Sequence, residues 1–290
     1  MSESKLRVIE PWIWVDLGER MKSGRDVLPF EEENGIDRRE LSKKFFKQAD
    51  IDFENNQDPA KLVAEMDAAG VERAIISIDP YDTSAHALTF AEKYPDRFFY
   101  QVAMKPTGSM REVSNMAALA KNHQVVSVRI TPFVTGLPPS HANYFPTYVR
   151  CIDLDLPLLI NTGVPGPIAP AACQDPLILD AICLQFPDLK ICMSHGAHPW
   201  WELAIRLMQK HVNLYLLTTA YLPKYLPPEL LHYMNTRGRH KILYGSDHPY
   251  LNFNRTIASA QELDLREGVL DCYLYENALK LFFPDESVPG

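Results

Sequence analysis

The chain of 290 residues is 46% hydrophobic and 23% charged, with a formal net charge of -8. That balance supports a large globular core, and an acidic surplus without any Lys/Arg run argues against nucleic acid or an anionic membrane surface as a partner. Five cysteines (Cys151, Cys173, Cys183, Cys192 and Cys272) form no C-x-x-C pair. They argue against a disulfide framework or a structural zinc site, and with no apolar leader and no run of about 20 apolar residues a cytoplasmic protein is expected.

The first predicted strand is "RVIEPWIWV" (7–15). It puts Trp12 and Trp14 at alternate positions, so both indoles project to one side. Core packing explains such a pair as well as a lined site does. A long connection follows, residues 18–57, in which "RRELSKKFFKQA" reads as a short helix. Helix 58–70 has chemical ends: Asp58 suits the N-cap, Pro59 the first turn and Gly70 the position after the last turn. Strands "RAIISI" (73–78), "RFFYQVAM" (97–104), "VVSVRI" (125–130), "LPLLIN" (156–161), "LKICMS" (189–194), "VNLYLLT" (212–218) and "KILYGS" (241–246) come next. Between them lie predicted helices 84–95, 109–122, 143–155, 175–187, 199–211 and 227–238, and a last one covers roughly 270–283.

Eight strand–helix alternations point to a parallel sheet with crossover helices, and eight strands close a (β/α)8 barrel. A doubly wound open sheet is the alternative, weakened because no Gly-rich nucleotide turn follows any strand. The expected organisation is one barrel domain over residues 1–290, with the 18–57 connection over its C-terminal mouth. Long loops there commonly carry function, and a helical decoration is the plainer reading.

Chemistry on such a barrel comes from the C-terminal ends of the strands. These ends offer Trp12 and Trp14, Asp79, Lys105, Arg129, Asn161, His195 with His198 in the next turn, Thr218, Thr219 and Tyr221, then Asp247 beside His248. An Arg at a mouth suits a bidentate carboxylate contact. Asp247 needs a cation or donors around it, with His195 and His248 nearest by position. His198 sits before Pro199-Trp200 and would also serve as a helix cap. Cys192, inside a strand, reads as an inert core thiol.

The segments "LPLLINTGVPGP", "FPDLKICMSHGAHPW", "KILYGSDHP" and "ENALKLFF" resemble, in order and spacing, the amidohydrolase-related branch of the amidohydrolase superfamily. That branch includes aminocarboxymuconate semialdehyde decarboxylase, aromatic-acid decarboxylases and pyrone dicarboxylate lactonases. The resemblance spans nearly the whole chain and implies the barrel fold. It also implies a metal pattern: His-x-His on the first strand, a His on the fifth, and a His and an Asp on the sixth and eighth. Here those positions hold Trp12, Trp14, Asn161, His195 and Asp247. Indole N–H donates only, and an amide oxygen is a weak zinc ligand. The first histidine in the chain is His86, so no shift of register restores the missing pair. No metal or other cofactor is therefore expected.

The resemblance then implies an enzyme in which His195 and Asp247 act as acid and base. Arg129, Asn161, Trp12, Trp14, Tyr221, His198 and Asp79 would bind a small carboxylated, cyclic or aromatic substrate. Hydrolysis of a lactone or similar activated ester is the first expectation, because such a bond needs less Lewis-acid help than an amide. A metal-free decarboxylase, isomerase or cyclase is the alternative, and a non-catalytic binding barrel the third reading. The oligomeric state stays open, a homodimer included.

Overall fold

The computed structural model describes residues 6–23, 28–47, 51–81, 85–105 and 107–286. Parts of two predicted segments, residues 24–27 and 48–50 of the long connection and residue 84 of the following helix, lie outside the described residues. The eight strands are β1 (Val8–Ile13), β2 (Val71–Ile78), β3 (Phe98–Met104), β4 (Val125–Ile130), β5 (Leu158–Asn161), β6 (Ile191–Ser194), β7 (Leu214–Leu217) and β8 (Ile242–Leu243). They pair in parallel in chain order, β1 through β8. A parallel bridge between Ile13 and His248, with Trp14 N donating to His248 O at 2.9 Å, joins β1 to the segment after β8. The fold is the expected barrel of eight parallel strands with helices between them.

β1 is not regular. Glu10 pairs with Ala74 and Ile13 with Ile76, so three steps on β1 face two on β2. The extra residue is a bulge, which shifts which side chains point inward. As a result Ile9 and Trp12 both join the inner cluster, while Val8 and Ile13 pack outward against the helices. β8 is shorter than its predicted strand because its backbone finds other partners. Ser246 N donates to the Glu10 carboxyl, 3.0 Å from both oxygens, and Tyr244 N donates to Tyr273 O.

The N-terminal end of the barrel is closed by the end of the chain. Leu279, Phe282 and Phe283 pack under the inward residues Ile9, Ile75, Leu159, Cys192, Leu217 and Leu243. The last predicted helix is there in pieces, a π-helical stretch Cys272–Glu276 followed by helix Asn277–Phe282. The sequence pattern did not predict helix Phe253–Gln261, capped by Asn252, whose side chain accepts from Arg255 N, nor the short helices Leu17–Ser23, Pro29–Glu33 and Pro132–Thr135. Helix Pro59–Ala69 has the expected caps, Asp58 accepting from Lys61 N and Gly70 at φ 76°.

The connection after β1 carries helices Leu17–Ser23, Pro29–Glu33 and Arg38–Phe46. Its return is tied to β1 by Gln57, whose N donates to Val15 O and whose Nε2 donates to Trp14 O. Gly18 is required there, since a Cβ would stand 2.6 Å from Glu54 O. Cys192 is fully buried, as its reading as a core thiol requires. No helix among the described residues is long and apolar enough to cross a membrane.

Candidate active site

A cavity of about 370 Å³ opens at the C-terminal end of the barrel. Its deep wall is built by strand ends. β4 delivers Arg129 (7% exposed), β5 delivers Asn161, and the turn after β8 delivers Asp247 (5% exposed). Trp12 and Trp14 both reach this wall, with ring centroids 6.1 Å apart and planes at 62°. The paired indoles of the first strand are therefore lining and packing at once.

Contacts join these groups into one unit. The Arg129 guanidinium carbon lies 4.5 Å from the Trp12 ring centroid and 4.7 Å from that of Trp14. Arg129 Nε donates to Ser77 Oγ at 2.8 Å. Trp14 Nε1 donates to Asp247 Oδ1 at 2.7 Å. The His195 ring meets Trp12 edge-on, centroids 4.8 Å apart. Arg20 approaches Trp14 as well, at 4.6 Å, and is paired with Asp16 at 2.8 Å. A guanidinium over an aromatic face gains electrostatically from the ring quadrupole, more so when both are desolvated.

Two of the polar residues sit in unusual backbone. His195 has φ +61° and Asp247 φ +66°. Left-handed backbone is uncommon outside glycine and is found disproportionately at functional sites. Gly196 follows at φ +67°, where a Cβ would collide with the Trp201 ring at 2.3 Å. The turn after β6 thus depends on glycine to aim His195.

Burial sets the charge states. It pushes the Asp247 carboxyl up to about 8, although the Trp14 N–H and the Arg129 charge pull the other way. It pushes the His195 imidazole down to about 3, with Arg129 adding to the effect. The Tyr221 phenol is raised to about 12 by the same cause. At neutral pH the deep wall holds a cationic Arg129, a neutral imidazole and a protonated carboxyl. It is a site for an anion.

The cavity brings together Trp12, Trp14, Asp79, Arg129, Asn161, His195, Tyr221 and Asp247. It does not bring in His198. That side chain is exposed, and what the residue contributes is its carbonyl, which accepts from Val164 N at 2.8 Å. Nor does His198 cap the next helix, whose N-cap is Trp200 without a side-chain bond. The expectation that His248 supports Asp247 also needs correction. The His248 ring turns away to stack on Phe253, centroids 4.2 Å apart, and it is the Trp14 indole that donates to Asp247, with the Arg129 charge acting on it. Asn161 Oδ1 accepts from Ser194 Oγ at 3.1 Å. Asp79 lies at the end of β2, its Oδ1 accepting from Tyr81 N.

Sequence reasoning missed Glu10. It is fully buried between β1 and the turn carrying Asp247, and burial pushes its carboxyl up to about 8. A carboxylate inside an apolar strand beside Pro11 was the available signal. It also missed Phe46, Phe133 and Tyr250, apolar residues of the upper cavity wall. Nothing in their local pattern marks them.

The amidohydrolase family profile matches residues 37–283. The chain belongs to the amidohydrolase family. No curated protein matches the chain. Among solved structures, this amidohydrolase is similar to an uncharacterized TIM-barrel protein from Bordetella bronchiseptica, with 20% identity, a TM-score of 0.76, and 95% of this chain and 98% of that one covered. A 5-carboxyvanillate decarboxylase from Novosphingobium aromaticivorans, solved with manganese and 4-hydroxy-3-methoxy-5-nitrobenzoic acid, is 15% identical over 97% of both chains, TM-score 0.69. A 2,6-dihydroxybenzoate decarboxylase from Rhizobium is 14% identical over 97% of this chain and 99% of that one, TM-score 0.68. At these identities the likeness is one of fold.

The donor set of this amidohydrolase does not fit a divalent ion. Among the described residues no group of three or more His, Cys, Asp or Glu side chains could hold a metal. Two of the positions implied for metal ligands are indoles, and the guanidinium of Arg129 lies against both. A fixed cation beside those rings disfavours a second one.

Proposed function

We propose that the chain is a metal-independent decarboxylase of a small cyclic or aromatic carboxylic acid. The observation that carries this reading is Arg129, held against Trp12 and Trp14 within reach of the Asp247 field. It supplies, without a metal, the fixed positive charge that orients a carboxylate. The similarity to decarboxylases of 5-carboxyvanillate and 2,6-dihydroxybenzoate supports the choice of reaction.

In this reading Arg129 binds the substrate carboxylate and Trp14 walls its ring, with the fully buried Trp12 packed behind Arg129. Asp247, protonated at neutral pH, delivers its proton to the ring carbon bearing the carboxylate. The carbon–carboxylate bond then breaks, its electron pair returns to the ring, and carbon dioxide leaves. Asp247 remains as a carboxylate, stabilised by Trp14 N–H and Arg129, and is reprotonated from water. A ring hydroxyl would lower the barrier by stabilising positive charge on the protonated ring, and neutral His195 is available to accept its hydrogen bond. A positioned acid contributes about 10²–10⁴-fold.

Hydrolysis of a lactone, the first expectation from the sequence, is the second reading. Its support is that the carboxylate form of Asp247, present above a pH of about 8, suits a general base for water. The two readings have opposite pH dependence. A site filled by Trp12 and Trp14 would have favoured the non-catalytic reading, and the cavity leaves room beside them.

The test is carbon dioxide release from hydroxylated aromatic acids, with and without a chelator, between pH 5 and 10. Release insensitive to chelator and falling as pH passes about 8 is expected. Ring-opened acid from a lactone with no carbon dioxide, rising through that pH, would establish the second reading instead. Activity lost to chelator and restored by manganese would remove metal independence.

A further inference from the structure

The cavity is larger than one aromatic ring requires, and apolar side chains gather toward its solvent end. Its volume of about 370 Å³ is more than twice the roughly 150 Å³ in which benzene is accommodated. The groups that would hold a carboxylate and donate a proton, Arg129 and Asp247, are both at the deeply buried end. Toward solvent the wall is mixed, with Ser42 and the exposed Lys105 beside a larger group of apolar side chains. Leu41 and Phe46 come from helix Arg38–Phe46, Phe133 from the short helix Pro132–Thr135 after β4 and Tyr250 from the turn after β8, all of them half-buried.

This upper wall is built rather than incidental. Phe46 and Tyr250 pack with ring centroids 5.4 Å apart. The helix end is tied to the next layer by Arg255 Nη1, which donates to Phe46 O at 3.2 Å. Phe45 beside it also lines the cavity yet is 65% exposed. A ligand the size of one ring, with its carboxylate at Arg129, would leave these apolar side chains facing water. Apolar surface of this kind around a mouth marks a binding region.

We propose that the substrate is a hydroxylated carboxylic acid of at least two fused rings. Its carboxylate lies at Arg129 and its distal ring between helix Arg38–Phe46 and Phe133. This rests on the reading above that Arg129 holds the carboxylate. The distal ring would be recognised chiefly by burial against Leu41, Phe46, Phe133 and Tyr250, so size and planarity set the preference.

The experiment is calorimetric titration of the purified protein at pH 7 with 2-hydroxybenzoate and with 1-hydroxy-2-naphthoate, alongside carbon dioxide release from each. Burying a second ring should tighten binding about tenfold or more. Phe46→Ala and, on the separate wall, Phe133→Ala should each weaken the naphthoate severalfold while changing the one-ring acid less than twofold. Equal affinity for the two acids, preference for the smaller, binding of neither, or variants that weaken both alike would overturn the proposal. The second readout keeps the two readings apart. Two-ring preference in binding without carbon dioxide from either acid would remove the decarboxylase reading and keep the substrate size. A higher kcat/KM on the one-ring acid would remove the substrate size and keep the decarboxylase.

Discussion

The two ends of this barrel use the same eight strands in opposite ways. At the N-terminal end the inward residues Ile9, Ile75, Leu159, Cys192, Leu217 and Leu243 meet Leu279 and Phe282 from helix Asn277–Phe282 and form one apolar cluster. A few residues further along, the same strands deliver Arg129, held by Ser77, with Asn161 and the turns carrying His195 and Asp247 into a cavity. One end gains from burial. The other buries ionisable groups whose charges are disfavoured there, which opposes folding and prepares chemistry. Stability and function are thus separated along the barrel axis, and the separation can be broken from either side.

The largest effect is expected at the cavity. Asp247→Asn keeps the shape and the Trp14 contact but removes the transferable proton. Carbon dioxide release should fall about 10²–10⁴-fold, with thermal unfolding unchanged or shifted upward. Turnover near wild type would remove Asp247 from the reaction. The opposite end should answer in the other currency. Leu279→Ala, nine-tenths or more buried under the barrel, should lower stability by roughly 2–5 kcal/mol. Its kcat on folded protein should stay at the wild-type value. A change in kcat larger than the change in folded fraction would show that the ends are coupled.

Much of this division was legible in the sequence. Eight apolar runs at barrel spacing gave the architecture, and reading polar residues off strand ends collected Trp12, Trp14, Asp79, Arg129, Asn161, His195, Tyr221 and Asp247. What failed was whatever depends on the path of the chain after the strand. His198 and His248 lie within a few residues of correctly placed partners, yet the turns send one ring to solvent and the other onto Phe253. Helix Phe253–Gln261 was missed because Thr256 and Ser259 interrupt its apolar face, both of them buried there. The short β8 was overestimated because a side chain, Glu10, takes over a backbone donor that a strand neighbour would otherwise use.

A smaller effect follows from Arg129. Arg129→Met removes the charge and keeps the stem beside the indoles, and loss of a charge-assisted contact should weaken carboxylate binding by about 1.5–3 kcal/mol. Arg129→Lys should recover only part of this, because an ammonium lacks the planar fork. Titration of a carboxylated ring and of its decarboxylated product separates the outcomes. If both ligands lose affinity equally, Arg129 does not read the carboxylate.

The pH dependence of stability also differs between the ends. Asp247 and Glu10 are raised in the folded chain to about 8, so the fold holds protons that the unfolded chain releases near pH 4. Their favourable contribution is complete below about pH 4 and is lost as pH rises toward 8. His195 and His248, held down to about 3, have the opposite sign: stability present above about pH 6.5 is lost as pH falls. Asp247→Asn removes one group of the first kind. Its stability relative to wild type should grow from pH 4 to pH 8 in denaturant titrations, whereas the offset of Leu279→Ala should not vary. A constant offset for Asp247→Asn would mean that the carboxyl ionises in the fold as readily as in the unfolded chain.

The finest test concerns one hydrogen bond. Trp14→Phe keeps an aromatic face for Arg129 and Arg20 but removes the N–H that Asp247 Oδ1 accepts at 2.7 Å. That bond favours the carboxylate form, so without it the Asp247 carboxyl should rise above its already raised position. The alkaline limb of the decarboxylation profile should then move to higher pH. The rate on the plateau should drop only modestly, because the proton is still present but the carboxylate left after transfer is less well stabilised. Substrate affinity should change little if ring packing is what Trp14 gives the ligand. Profiles of kcat against pH for wild type and Trp14→Phe are the measurement. A limb that stays where it was, with an unchanged plateau, would show that the indole N–H does not govern Asp247 and that Arg129 alone sets the electrostatics of the acid. A limb moved to lower pH would mean that the bond favours the protonated carboxyl, and the charge state assigned to Asp247 in the product complex would be wrong.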